Sequence, residues 1–360
     1  MTENKQAGAV LPEAGRLLFP DGKGFFRILQ LTDMQIIGLG CTRNPTRDRQ
    51  IKGTYFKEGV PDMDARCFQY VNELVKRTKP DLIALTGDNV YGEFDDDGAM
   101  SELLCRRMEE YGIPWAPVFG NHDNESRIGV RRQMKMFGEC PHCLFADGGV
   151  TGHGNYFVRI MSGGRDVFTL FFLDTNGCRN VGNPWAPEEG ITPDKIDYDL
   201  VEHREGIFPD QTAAFRAAAE SIAAENGRKI PSAVFLHIPI AAYDLAREAA
   251  GYVFKENFDC TGPDCYGGIY EHNIHKIDSD GVFYRTSREA GTVGYFAGHE
   301  HKNDICLKFD GAVFAYGVKT GIATYYRDEA IGGTVIDIDP AGELSVRPEY
   351  CRKRFDICDS

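Results

Sequence analysis

Five short apolar runs in this chain stop abruptly at residues of the types that bind metal ions. Leu82–Leu85 leads into Thr86-Gly87-Asp88, Ile28–Leu31 into Thr32-Asp33, and Val118-Phe119 into Gly120-Asn121-His122-Asp123. Val234–Leu236 ends at His237, and Tyr295–Ala297 ends at Gly298-His299-Glu300-His301. An apolar run of this length bounded by glycine and polar residues is the pattern of a buried strand. Open α/β sheets place their ligands at the carboxyl ends of such strands. Asp, Asp, Asn, His and His-x-His converging on one rim can build two adjacent metal sites. Asp88 is the candidate bridge, because a carboxylate has two oxygens and a full negative charge.

The intervening segments carry helical periodicity. Asp62 or Asp64 can cap a helix running to about Thr78, with Phe68, Val71, Leu74 and Val75 on one face. Further helices are expected near 98–111, 127–137 and 210–224, and a strand at Val167–Leu173. Strand and helix thus alternate in a βαβαβ rhythm, which implies a largely parallel sheet. The last third is mostly short strands, at Gly311–Tyr316, Gly333–Asp339 and Leu344–Arg347. Residues 1–24 are expected to be an extended lead-in and 351–360 a tail. Long excursions at about 176–209 and 239–290 join strands that must meet at one site, so 25–350 is expected to be a single domain.

Bulk composition narrows the partners. The 360 residues are 42% hydrophobic and 26% charged, with a net charge of −14. That balance is ordinary for a soluble domain and argues against an extended nucleic-acid partner, whose phosphates recruit basic faces. A small phosphate ester remains open, since bound cations can supply local positive charge. No apolar run approaches a membrane span, and residues 1–15 lack a secretory pattern. The eleven cysteines are therefore expected to be reduced thiols in the cytoplasm. Cys140-Pro141-His142-Cys143 spells C-x-x-C, and Cys260 and Cys265 lie five apart. These four could form a zinc site or thiol switch, but the C-x-x-C follows a helix where redox chemistry wants it to open one. Arg43, Arg47 and Arg49 sit on a Gly-containing loop that either grips a substrate phosphate or is simply solvated. Oligomeric state is left open.

In order along residues 25–320, Asp33-Met34-Gln35, Gly87-Asp88, Gly120-Asn121-His122-Asp123, His237 and Gly298-His299-Glu300-His301 resemble the calcineurin-like metallophosphoesterase superfamily. The likeness is greatest to its small purple-acid-phosphatase-related members. The resemblance implies an α/β/β/α sandwich with two mixed β-sheets. It implies two metal ions, Fe, Mn or Zn. Asp33, Asp88 and His301 would take the first, and Asp88, Asn121, His237 and His299 the second. It further implies a metal-bridging hydroxide as nucleophile, His122 as leaving-group acid and Asp123 as a candidate to orient it. The expected activity is a phosphomonoesterase. The alternatives are a phosphodiesterase or cyclic-nucleotide hydrolase on the same core, and a non-catalytic scaffold that holds metal weakly. The chain departs from the family pattern at Gln35, where a metal-binding His is usual. Either Gln35 ligates weakly or through water, or Tyr91, three residues after Asp88, supplies a tyrosinate as in purple acid phosphatases; the alternative for Tyr91 is an aromatic wall residue of the pocket.

Overall fold

The computed structural model describes residues 9–38, 60–95, 97–126, 128–177 and 205–351. Arg43, Arg47 and Arg49 lie outside the described residues, as does nearly all of the expected tail.

The chain builds two mixed sheets. In chain order the strands are β1 (Glu13–Leu18), β2 (Phe26–Leu31), β3 (Leu82–Thr86), β4 (Trp115–Val118), β5 (Tyr156–Ser162), β6 (Arg165–Phe172) and β7 (Ser232–Phe235). They continue with β8 (Phe258–Gly262), β9 (Cys265–Ile269), β10 (Thr292–Ala297), β11 (Cys306–Phe309), β12 (Ala312–Tyr316), β13 (Gly332–Ile338) and β14 (Leu344–Tyr350). The smaller sheet has the order β14-β13-β2-β3-β4, with β2, β3 and β4 parallel. The larger has the order β1-β5-β6-β7-β10-β12-β11-β9-β8, with β6, β7, β10 and β12 parallel.

The layering follows from side chains alternating across each strand. Phe26 and Ile28 of β2 and Leu82 and Ala84 of β3 face Phe168, Leu170, Phe235 and Phe296 of the larger sheet, forming the core between the sheets. Leu29, Leu31, Ile83 and Leu85 point the other way, onto helices α1 (Val60–Thr78), α2 (Ala99–Glu109) and α3 (Gly129–Gly138). Phe171, Val234 and Tyr295 meet α4 (Pro209–Asn226), α5 (Ala242–Ala249) and α6 (Val282–Ala290) on the outer face of the larger sheet. The result is an α/β/β/α sandwich.

Two features add to the sequence expectations and one corrects them. Within the extended lead-in, β1 pairs in parallel with β5 as an edge strand. Its residues are only half-buried, so it carries no strong alternation to reveal it. The 239–290 excursion contains α5, β8, β9 and α6. Finally, Cys260 and Cys265 are joined by a disulfide across the β8–β9 hairpin, so the expectation of reduced thiols fails for this pair. Cys67, Cys105, Cys140, Cys143, Cys306 and Cys351 are free. Burial pushes the thiols of Cys105 and Cys143 up, away from the reactive thiolate form.

Candidate metal centre

The two sheets deliver their carboxyl ends to one rim. Asp33 follows β2, Asp88 follows β3 and Asn121 follows β4, while His237 follows β7 and His299 and His301 follow β10. Polar contacts lock the sheets together just beneath this rim. Gln30 donates to Thr86 Oγ1 at 2.9 Å and to Ala297 O at 3.1 Å, and His237 Nδ1 donates to Thr86 O at 2.8 Å. Asp33 Oδ2 accepts from His299 N at 2.9 Å, and Asp88 Oδ1 accepts from His122 N at 2.7 Å. Asp33, Asp88 and His299 hold left-handed backbone, with φ of 50°, 48° and 73°. Non-glycine residues adopt that region at a cost, and such strain clusters at functional sites. Close approach also explains Gly120, since a Cβ there would collide with the main chain of Asp88.

The side chains at the rim are rich in lone pairs and poor in donors. One oxygen or nitrogen from each of Asp33, Asp88 and His237 lies within 4.8 Å of the others, and all three residues are buried. Because His237 Nδ1 is committed to Thr86 O, its Nε2 is the atom facing Asn121 Oδ1 at 3.1 Å and Asp88 Oδ1 at 3.3 Å. His301 donates from Nδ1 to Tyr325 O at 3.0 Å, which turns its Nε2 to Asp33 Oδ1 at 3.2 Å. His299 Nδ1 is 3.0 Å from Asn121 Oδ1. Asp33 Oδ1 is buried and takes no hydrogen bond. Backbone carbonyls that fix the far nitrogen of a histidine are the usual support of a metal-binding imidazole. A buried array of acceptors with an orphaned carboxylate oxygen is completed by a cation.

Titration behaviour points the same way. Burial works against ionisation of Asp33 and Asp88, yet His301 and His237 respectively hold both carboxyls well below the usual range. Burial lowers His237, but Asp88 outweighs it and raises the imidazole to about 9. A proton on His237 therefore stands where a cation would otherwise compensate Asp88, and a metal would displace it. Burial and the neighbouring His237 push His299 down to about 3, leaving it neutral and able to ligate.

Gln35 is held by three hydrogen bonds. Its Oε1 accepts from Lys319 Nζ at 2.9 Å and from Thr324 Oγ1 at 2.7 Å, while its Nε2 donates to Asp88 Oδ2 at 3.1 Å. Lysine can only donate, so the atom facing Lys319 is the oxygen and the amide orientation is settled. Lys319 is 1% exposed and also donates to Asp33 O at 2.9 Å. Burial lowers its ammonium to about 8, with Asp33 and Asp88 opposing that effect.

Tyr91 packs its ring against His122, with centroids 4.3 Å apart and planes 22° from parallel. It also belongs to an apolar cluster with Ile37, Phe94 and Ile331. His122 Nδ1 lies 2.7 Å from Glu125 Oε2, and both residues are buried. The carboxylate on this histidine is thus Glu125, supplied by the same turn. Asp123 uses its oxygens on Gly120 N, Val90 N and Asn89 Nδ2, at 2.7, 3.0 and 3.2 Å, and so pins the loop that carries Asn121 and His122. Burial and then Asp88 raise Asp123 to about 7.

Glu125, Lys319 and Thr324 were not singled out in the sequence. Glu125 is three residues past His122, a spacing that one helical turn brings into contact, and that was the available signal. Lys319 lies beyond the last motif, and only its place just after a strand hinted at burial.

The site opens into a cavity of about 700 Å³. Asp88, Asn121, His122, His299 and His301 line its floor. Phe254, Ile274 and Tyr325 line its walls, with Phe254 46% and Ile274 62% exposed. Glu205 and Glu271 line it as well, with Lys276. His272 stacks on Tyr252, and His275 bridges Asp244 and Glu300 at 2.6 and 3.2 Å.

Probable inactive purple acid phosphatase 28 of Arabidopsis thaliana is 28% identical over 325 residues, 84% of this chain and 72% of that protein. Phosphatase DCR2 of Saccharomyces cerevisiae is 25% identical over 301 residues, 80% of this chain and 46% of that one. The crystal structure of a dimetal phosphatase from Danio rerio superposes with a TM-score of 0.46 at 13% identity, covering 90% of this chain and 99% of the other. The model of the family described as calcineurin-like phosphoesterase matches residues 26–303. That match runs from the first residue of β2 to just past His301, the whole stretch of strands whose ends make the rim, and the chain belongs to the calcineurin-like phosphoesterase family.

Proposed function

We propose that this protein hydrolyses phosphoric monoesters at a two-cation centre. The observation that carries the reading is the buried rim of acceptors at Asp33, Asp88, Asn121, His237, His299 and His301, with Asp33 Oδ1 accepting no hydrogen bond, opening onto a cavity lined also by His122. Two Fe, Mn or Zn ions held there would supply charge stabilisation for the phosphoryl oxygens and an activated water. The protein's own residues do the rest. His122, held at Nδ1 by Glu125, gives the proton at Nε2 to the departing oxygen of the ester. Tyr91 fixes the imidazole plane by stacking. Asp123 holds the loop so that His122 and Asn121 keep their positions.

The apolar side chains Phe254 and Ile274, partly exposed in the cavity lining, support aryl or other apolar leaving groups. A diesterase on the same core is distinguished by comparing bis(p-nitrophenyl) phosphate with p-nitrophenyl phosphate. The test of the main reading is His122→Ala. Metal binding should persist while kcat for p-nitrophenyl phosphate falls by about 10²- to 10⁴-fold. Unchanged kcat removes His122 from the mechanism.

A second reading, metal binding without turnover, is favoured by the commitment of Gln35 to Lys319. The plant relative is itself named as probably inactive, while the yeast relative is named a phosphatase. Metal-loaded protein that binds inorganic phosphate but turns over neither ester would establish it. Among the described residues no helix is long and apolar enough to cross a membrane. A cytoplasmic setting is part of the proposal, resting on the six free thiols among the described residues, with the Cys260–Cys265 disulfide as the observation against it.

A further inference from the structure

The ammonium of Lys319 is an unusual neighbour for a cation site. Its side chain is buried and reaches two neutral oxygens, Asp33 O and Gln35 Oε1, both at 2.9 Å. Its main chain is fixed beside Thr32 by a parallel bridge, and Gly332 N donates to Lys319 O at 2.9 Å. The ammonium has no carboxylate within ion-pair distance among the described residues. Both acceptors lead to the rim carboxylates, Asp33 through its own main chain and Gln35 through its bond to Asp88 Oδ2. A buried charge needs compensation, and here the two candidate metal-binding carboxylates provide it. Gln35 extends the effect, because its amide carries a donor from the Lys319 side to Asp88 Oδ2 at 3.1 Å. The position beside Asp33 and His301 therefore already holds part of the positive charge it would take from a metal. Among the described residues no lysine or arginine bonds to Asn121, His237 or His299, and the proton on His237 leaves when a metal takes its place.

We infer that Lys319, acting through Gln35, makes the two cation positions unequal, so that the Asn121–His237–His299 position binds a divalent ion tightly and the Asp33–His301 position binds one weakly and exchangeably. The inference rests on the two-cation reading above. It assigns Lys319 as a positioning and charge-setting residue, one that never touches substrate. The weak position is then filled only when free metal is plentiful, which makes occupancy of the second ion depend on metal supply.

The experiment is a Mn²⁺ titration of metal-free full-length protein, with free Mn²⁺ followed by its solution EPR signal. Wild-type protein should show two classes of site, separated by at least about tenfold in affinity. Lys319→Met should tighten the weaker class by at least about tenfold and leave the tighter class nearly unchanged. Lys319→Gln keeps a donor toward Asp33 O without the charge, so it should shift the weaker class in the same direction and serves if the methionine variant does not fold. Lys319→Arg keeps the charge and should retain the wild-type separation. Two equal classes in the wild type, or two classes unmoved by either neutral variant, overturn the inference while leaving the two-cation reading intact. No Mn²⁺ binding at all overturns both.

Discussion

His122 Nδ1 lies 2.7 Å from Glu125 Oε2, and both side chains are buried. This contact fixes which imidazole nitrogen faces the cavity, and it stabilises the protonated ring that a leaving-group acid requires. Glu125→Gln keeps an acceptor but removes the charge. The expected outcome is a fall in kcat by about 10-fold or more with metal content unchanged, measured by steady-state kinetics and elemental analysis. A variant that loses metal instead would make Glu125 a structural support of the Asn121 loop.

Tyr91 lies face to face with His122, within the apolar cluster that includes Phe94. Tyr91→Phe preserves the stack and removes the hydroxyl. Wild type and variant should bind the same number of ions, and neither should show a tyrosinate charge-transfer band in the visible spectrum when iron is bound. A band present in the wild type and absent in the variant would make Tyr91 a ligand.

Asp64 gives the fold a pH dependence. It accepts from Ile37 N at 2.9 Å, and burial raises it to about 7 despite that bond. The unfolded carboxyl titrates at about 3.9. The folded state therefore retains a proton that the unfolded state releases between those values. This stabilising contribution is complete below the unfolded value and is lost as pH rises through about 7. Asp64→Asn can still accept from Ile37 N and cannot ionise. Its Tm should match wild type at pH values below both titrations and exceed it by about 2 °C or more at pH 8. An equal difference at both pH values would contradict the assignment.

Phe254 and Ile274 line the cavity and expose apolar surface. Burying that surface against an aryl leaving group should lower KM. Phe254→Ser should raise KM for p-nitrophenyl phosphate by about 5-fold or more and leave KM for ethyl phosphate unchanged. Equal effects on both esters would remove the apolar contact.

The strand ends were legible because burial on both faces writes a continuous apolar run, and each run stops at a polar residue the core cannot hold. Leu82–Thr86 before Asp88 and Thr292–Ala297 before His299 are of this kind. The half-buried edge strand β1 writes no such run, and two cysteines five apart do not announce that a hairpin will join them. Gln35 was ambiguous for a different reason. A glutamine offers an oxygen and an amide nitrogen on one stem, and only a neighbour outside the motif, Lys319, decides which faces Asp88. Asp123 and Glu125 show the same limit, since both flank His122 in sequence and only the turn geometry assigns one to the ring and the other to the loop.

The most direct test of the two-cation hydrolase is the rate of p-nitrophenyl phosphate hydrolysis by metal-free protein as Mn²⁺, Fe²⁺ or Zn²⁺ is added back. The account predicts no turnover without metal, a rate that rises and saturates with at least one of the three ions, and no recovery at any concentration in Asp88→Asn. Folded wild-type protein that binds these ions yet hydrolyses nothing, or hydrolysis that persists undiminished in the metal-free state, would contradict it.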